Sequence, residues 1–246
     1  QMCIRDRDII GRNIANANTN GYKKERVIEG DFAKYLVNAY NNINERKKGS
    51  YVANVVTDFS EGMLRETGYP LDFAIEGSGF FAVRDSKGNR YFTRDGAFRI
   101  NQNGELTTRD GLILEGEDGK SIKIPPEVGG SATISNRLSV SSDGSVYVFV
   151  GNSQNKQLVG KIKIVEFEKP ENLERIGAGY YVNINGKAIE KKAKNSLVRQ
   201  GVLEMANFNI AQEMVEMMKN QRYYDSAQKV VKVIDKTLGD LFSIIG

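Results

Sequence analysis

Residues 207–241 read NFNIAQEMVEMMKNQRYYDSAQKVVKVIDKTLGDL, and their spacing decides how the rest of the chain is organised. Apolar residues fall at Ile210, Met214, Met217, Tyr224, Ala227, Val231, Ile234, Leu238 and Leu241, with Ile245 beyond. The steps are threes and fours, apart from one seven-residue gap across Gln221. That is the heptad spacing of one face of a long helix. Asn207 or Asn209 offers the side-chain oxygen that a helix N-cap needs, and no Pro or Gly follows before Gly239. The pattern predicts a helix of about 35 residues, ~50 Å long at 1.5 Å per residue. A small domain cannot cover such a helix, so its apolar face needs other helices. The first candidate is a helix at the other end of the chain; the next is the same element in neighbouring copies.

The N-terminal part supplies a candidate. In Asp8–Ala17, Ile10 and Ile14 stand four apart with Ile9 and Ala17 on the same side, which reads as the end of a helix. The string NIANANTNGYK at 13–23 then gathers Asn13, Asn16, Asn18 and Asn20 before Gly21, Tyr22 and Lys23. Asn competes with the helix for backbone partners and tolerates the left-handed conformation, and Asn-Gly is a helix-stop dipeptide. The string therefore stops a helix and re-aims the chain. The opening QMCIRDR has no helical or strand periodicity and resembles a translated sequencing-adapter artefact. It reads either as such an artefact, with authentic sequence starting near Asp8, or as a polar tail.

Between the two ends the pattern changes. Phe32, Tyr35, Leu36, Ala39 and Tyr40 have a rough helical period, but residues 31–49 are largely polar and read as a mobile linker. From Tyr51 to about Asn195 the pattern is β. LDFAIEGSGFFAVRD is a strand pair broken at Gly77-Ser78-Gly79, and turn signals recur at DSKGN, NQNG, RDG, EDG and SSDG. Strands are expected at 91–93, 97–100, 111–114, 121–124, 146–150 and 161–168, in an antiparallel meander or barrel. Pro170–Leu173 reads as a turn or single helical turn. The fold class is mainly β with terminal α-helices: an antiparallel β domain, with N- and C-terminal helices pairing as a coiled coil. Three regions follow: 1–50, helix remnant and linker; 51–200, β-rich domain; 201–246, C-terminal helix.

Composition narrows the function. The 246 residues carry a net charge of +4, with Lys and Arg scattered among Asp and Glu. No basic stripe of the kind that follows a phosphate backbone is present, which argues against a nucleic-acid partner. No apolar run approaches the ~20 residues of a membrane span, and no charged segment leads into an apolar signal core. A cytosolic protein fits this, as does one exported without such a signal. One Cys, Cys3, excludes an internal disulfide and a Cys-based zinc site, and the absence of His removes the commonest general base and metal ligand. No cofactor, metal or small-molecule substrate is expected.

Four blocks carry a family resemblance. NIANANTNGYKKERV is similar to the string NNLANVNTxGYK of the flagellar rod and hook proteins. GMLRETGYPLDFAIEGSGFFAV resembles the family's TG-x-P-LD-x-AI-x-G-x-GFF block, and YFTRDGAFRINQNGELTTRDG its YTRDGxFxxxxxGxLVTxxG block. VRQGVLEMANFNIAQEMVEMMKNQRYYDSAQKVVKVIDKTL resembles its C-terminal block. The blocks lie in order over most of the chain from Asn13 to Leu238, and they resemble the FlgF/FlgG rod type rather than the larger hook protein. The resemblance implies a structural subunit of the bacterial flagellar basal-body rod. It would polymerise through terminal helices into the hollow drive shaft between motor and hook. Its partners would be copies of itself, other rod proteins, the hook protein and the flagellar export apparatus. The implied assembly interface comprises Asn13, Asn16, Asn18, Asn20, Gly21 and Tyr22 at the N-terminal junction. On the C-terminal helix it comprises Met214, Met217, Arg222, Tyr224, Val231, Ile234, Leu238 and Leu241.

The competing reading is a carboxylate-based carbohydrate-active enzyme on a β scaffold, drawing a pair ~5–10 Å apart from Asp72, Glu76, Asp95, Glu105 and Glu115. Most of these stand beside Gly in turn-like strings, where solvated carboxylates are expected. Gly77-Ser78-Gly79 lacks the third Gly of a dinucleotide fingerprint and precedes no helical pattern, so a tight turn is the better reading.

Overall fold

The computed structural model describes residues 2–28, 54–125, 137–149, 156–177, 179–193 and 196–245; the linker read at 31–49 lies outside them. The chain divides into two compact units. A helical unit comprises Gln1–Ala15, Glu25–Thr57 and Asn209–Gly246, and a β unit comprises Asn16–Lys24 and Asp58–Phe208. Residues 16–24 and 201–208 thus build the β unit and residues 54–57 the helical unit, each on the other side of cuts at residues 50 and 200.

The helical unit holds α1 (Met2–Ala15), β1 (Glu25–Ile28), β2 (Asn54–Thr57) and α2 (Ile210–Ile245). Helix α1 starts at Met2, so the opening residues continue a helix rather than forming a tail. Strands β1 and β2 pair antiparallel, from Glu25 opposite Thr57 to Ile28 opposite Asn54. Helix α2 is capped by Asn209, whose Oδ1 accepts from Ala211 N at 2.8 Å while its carbonyl accepts from Glu213 N at 3.1 Å. With 36 residues α2 is ~54 Å long, against ~21 Å for the 14 residues of α1.

In the β unit the strands are β3 (Leu64–Glu66), β4 (Phe73–Glu76), β5 (Phe80–Arg84), β6 (Arg90–Thr93), β7 (Arg99–Ile100), β8 (Leu106–Thr107), β9 (Ile113–Leu114), β10 (Leu138–Val140) and β11 (Ser145–Phe149). They continue with β12 (Lys156–Lys161), β13 (Ile164–Phe167), β14 (Glu174–Ile176), β15 (Tyr180–Val182), β16 (Glu190–Lys192), β17 (Leu197–Gln200) and β18 (Val202–Glu204). The main sheet runs β14-β15-β6-β5-β9-β8-β7, with β13 joining β5 to β16, and β10-β11-β12 form a second sheet. Every strand ladder among the described residues is antiparallel. Pro170–Asn172 form the single helical turn expected there.

Strand β5 shows why the fold needs its Phe-Phe-Ala-Val run. Alternate side chains point to opposite faces of a strand. Phe81 and Val83 enter one core with Phe73, Leu106, Leu114 and Val146. Phe80 and Ala82 enter the other with Phe92, Val165, Phe167 and Tyr181. The β region also extends beyond residue 195. Strands β17 and β18 return from the far end of the chain to pair with β4 and β3, placing Gln200 opposite Phe73 and Glu204 opposite Leu64.

Candidate functional site

The return of β18 brings Glu204 into the interior of the β unit. Its carboxylate accepts from Lys23 Nζ at 2.6 Å, from Gly62 N at 2.7 Å and from Arg94 Nη1 at 3.2 Å. The side chains of Lys23, Arg94 and Glu204 are each only 1% exposed. Lys23 also donates to Ser60 O at 2.6 Å, and Arg94 to the carbonyls of Ile75 and Gly77. Burial pulls both cations below their ordinary pKa, while Glu204 opposes that shift by favouring their charged forms. A buried charge is tolerated only when paired and hydrogen-bonded, and each of the three is both.

Within the β unit the string reaches this cluster through Gly21. Asn16 accepts from Thr19 N at 3.0 Å in the turn that follows α1. Asn18 is exposed, whereas Asn20 is buried and hydrogen-bonds Asp95. Gly21 sits at φ +64°, and a Cβ there would stand 2.3 Å from the backbone carbon of Arg94. Its N–H donates to Glu204 O at 2.7 Å. The left-handed turn and the close approach therefore both require glycine. Tyr22 is buried edge-on to Phe208, with the Arg175 guanidinium 4.0 Å over its ring. Asn207 completes the arrangement. Its Oδ1 accepts from Lys24 N at 2.7 Å, and its amide donates to Asp58 O at 2.8 Å and to Ser60 O at 3.1 Å.

In the helical unit Asn13 is fully buried at the end of α1. Its amide exchanges two hydrogen bonds with the Glu25 backbone, at 2.9 and 3.1 Å, and donates to Glu213 Oε2 at 3.1 Å. One side chain thus joins α1, β1 and the first turn of α2. Met217 is half-buried, and its Cε lies 3.9 Å from where a Cβ on Gly11 would sit. These two contacts set α1 antiparallel to α2. Beyond them α2 is bare: residues 221–237 are all exposed, including Arg222 and Tyr224, with Val231 at 56% and Ile234 at 52%. Met214 is 49% exposed. Leu238 and Leu241 continue the helix.

The sequence-expected interface residues thus fall into two groups. Asn13, Asn16, Asn20, Gly21, Tyr22 and Met217 make contacts inside this chain, while Asn18, Met214, Arg222, Tyr224, Val231 and Ile234 face outward; the side chains of Leu238 and Leu241 lie outside the described ones. The carboxylates of the enzyme reading are held in structural roles. Asp72 accepts from Thr67, Glu76 pairs with Arg199, Asp95 closes a turn onto Ala97 N, and Glu105 accepts from Asn101 and Ser121. Glu115 pairs with Arg90 and Lys163. Gly77-Ser78-Gly79 is the turn between β4 and β5, with no helix after it.

The charged cluster of Lys23, Arg94 and Glu204 closes the fold of the β unit. Residues 74–148 match the model of the flagellar hook protein FlgE/F/G D1 domain, and residues 199–244 that of the flagellar basal body rod FlgEFG protein C-terminal region. The chain is 31% identical to the flagellar basal-body rod protein FlgG of Buchnera aphidicola subsp. Baizongia pistaciae, over 95% of this chain and 92% of that protein. It is 32% identical to FlgG of Bacillus subtilis, covering 96% and 92%, and 33% identical to FlgF of Caulobacter vibrioides, covering 96% and 89%. The chain belongs to the family of flagellar basal-body rod proteins of the FlgF/FlgG type. It is a structural component of the flagellar basal body.

The buried cluster escaped the sequence reading, although a signal was present. Lys23, Gly62, Arg94 and Glu204 each come from a different one of the four family-like blocks. Their meeting point was legible only as charged residues embedded in otherwise apolar or turn-forming strings.

Proposed function

We propose that this chain is a repeating subunit of the rod, assembled through its terminal helices. Helices α1 and α2 pair as a coiled coil, and the helical units of successive copies line a hollow tube. Contacts of this kind, made between different surfaces of identical subunits, extend as a helix instead of closing. Other rod components and the hook protein continue the same structure, and the flagellar export apparatus delivers the chain.

The observation that carries this reading is the bare length of α2. Helix α1 spans ~21 Å of a ~54 Å partner. Past residue 220 the apolar positions Tyr224, Val231 and Ile234 stand in solvent. Exposed apolar surface arranged along one line marks an interaction site. Asn18 remains outward and available to a neighbour, whereas the buried members of its string hold the subunit itself together.

Val231→Asp tests the reading, because Val231 is exposed in the single chain and a charge there leaves the subunit fold undisturbed. The purified variant should melt like the parent. In cells lacking the native protein it should accumulate but fail to enter isolated basal bodies, and motility should be lost. Normal rods built from the variant would refute assembly through this face.

A further inference from the structure

We propose that residues 197–208 form a strap that closes the β unit last and lifts from it as one piece while both hydrophobic cores stay intact. The strap comprises β17, the turn at Gly201, β18 and the residues that lead to α2.

The division of bonding carries the inference. Among the described residues, the core around Phe81 and Val83 takes only Val198 from the strap, and the core around Phe80 and Ala82 takes nothing. Val202 and Leu203 are buried but belong to neither. What the strap supplies instead is polar. Gln200 accepts from Val140 N at 3.0 Å and donates to the carbonyls of Pro70 and Leu138. Gly201, at φ +74°, donates to Asp72 O at 2.8 Å, and its carbonyl accepts from Thr67 N and Gly68 N. Met205 N reaches Met63 O at 2.8 Å, and a Cβ on Gly62 would stand 2.0 Å from Met205 O, so the strap meets its neighbour there through bare backbone. Glu204 and Asn207 add the bonds described above.

Apolar burial is the dominant favourable term in folding, whereas the net gain from a hydrogen bond is modest, because separated groups bond to water instead. A segment rich in the second and nearly absent from the first is the piece that opens before the rest. Lifting it strands no charge. The movement that takes Glu204 away from Lys23 and Arg94 also admits water to both. Removing the anion with the strap closed is the opposite case, because the two cations then stay buried without it. The strap also comes late by position. In a chain supplied from its N-terminus, every strap partner named here precedes it. Ile210, where α2 begins, follows Asn207 by three positions, so closing the strap fixes the point at which the chain departs for α2. The β unit thus has an open and a closed state that share their cores and differ in whether that departure point is held.

Native-state hydrogen exchange on the full chain, over a series of low urea concentrations, tests this. Amides at the strap's contacts, those of Gly21, Gly62, Thr67, Val140 and Gly201, should share one opening free energy. It should lie below that of the β5 and β6 amides and fall less steeply with urea, because less surface is exposed. Glu204→Gln should speed exchange of the strap set at least about a hundredfold and leave its shallow urea dependence unchanged. A second variant does not depend on how well that one folds. Glu66 and Val202 stand directly opposite each other, between the Met63–Met205 and Thr67–Gly201 bonds, in the kind of pair whose side chains come closest. Glu66→Cys with Val202→Cys, in a Cys3→Ser background, places two thiols within disulfide reach. Oxidised, the pair holds the strap shut, and the strap amides should exchange only together with those of β5 and β6; reduced, the two classes should separate again. Strap amides that exchange together with the β5 and β6 amides in the parent overturn the proposal. So do two classes that stay separate in the oxidised variant, because the opening then lies elsewhere.

Discussion

Replacing Glu204 by Gln removes the one anion bonded to two buried cations while leaving the volume of the site nearly unchanged. Lys23 Nζ and Arg94 Nη1 donate to its two oxygens at 2.6 and 3.2 Å, and the side chains involved are 1% exposed. The Gln amide keeps one acceptor for Gly62 N but turns an NH₂ toward a group that also only donates. Breaking a buried pair by deleting one partner costs about 3–5 kcal/mol, because the remaining charges cannot reach water. A domain of ordinary stability, about 5–15 kcal/mol, would lose a large part of it. Glu76→Gln supplies the contrast: its partner Arg199 is bonded at 2.7 Å, but the two side chains are 45% and 56% exposed. Such a surface pair contributes at most ~1 kcal/mol. Urea denaturation of both variants, followed by circular dichroism, measures the difference. Lys23→Met in the Glu204→Gln background should recover part of the loss, a coupling that a double-mutant cycle isolates. If Glu204→Gln shifts the midpoint no further than Glu76→Gln does, the claim that this cluster closes the β unit is wrong.

Gly21→Ala should destabilise the chain by more than ~2 kcal/mol in the same assay, since left-handed backbone alone costs ~1–2 kcal/mol and the new Cβ meets Arg94. Gly68→Ala, at φ +71° with no atom near its Cβ, should show the backbone cost only. Asn13→Ala leaves Glu25 and Glu213 without their amide partner, at about 1–3 kcal/mol per buried group; hydrogen exchange should quicken at the end of α1 and the start of α2. The Asn101 and Ser121 side chains hold Glu105 below its ordinary value of 4.5, so the ionised form favours the fold. That stability is complete above 4.5 and drains as pH falls through the depressed value. The gap between urea midpoints at pH 7 and pH 3 should be smaller in Glu105→Gln than in the parent.

The parts of this fold that read clearly from sequence were those set by local periodicity. The steps of α2 gave its start to within a residue, since Asn209 is a cap whose partner lies two residues away. Strands bounded by Asp-Gly and Asn-Gly turns, such as β6, β9 and β11, were placed for the same reason. The helical start at Met2 was missed because QMCIRDR has no amphipathic pattern. Strands β17 and β18 were missed because their partners lie more than a hundred residues earlier, and pairing at that distance leaves no local periodicity. The asparagines were read as a helix stop joined to an interface. Asn16 and Gly21 do stop and turn the chain, but Asn13 and Asn20 are buried in contacts that become visible only once Glu25, Asp95 and Glu213 are folded around them.

Asn207 has a mechanical consequence. The polypeptide passes out of the β unit immediately after Lys24, just before Asp58 and again after Phe208, and the Asn207 amide is bonded to the backbone beside the first two of these exits. The backbone at two of the exits is therefore bonded to one side chain at the third. Three chain segments far apart in sequence are thus spliced at one point of the β unit by a single side chain.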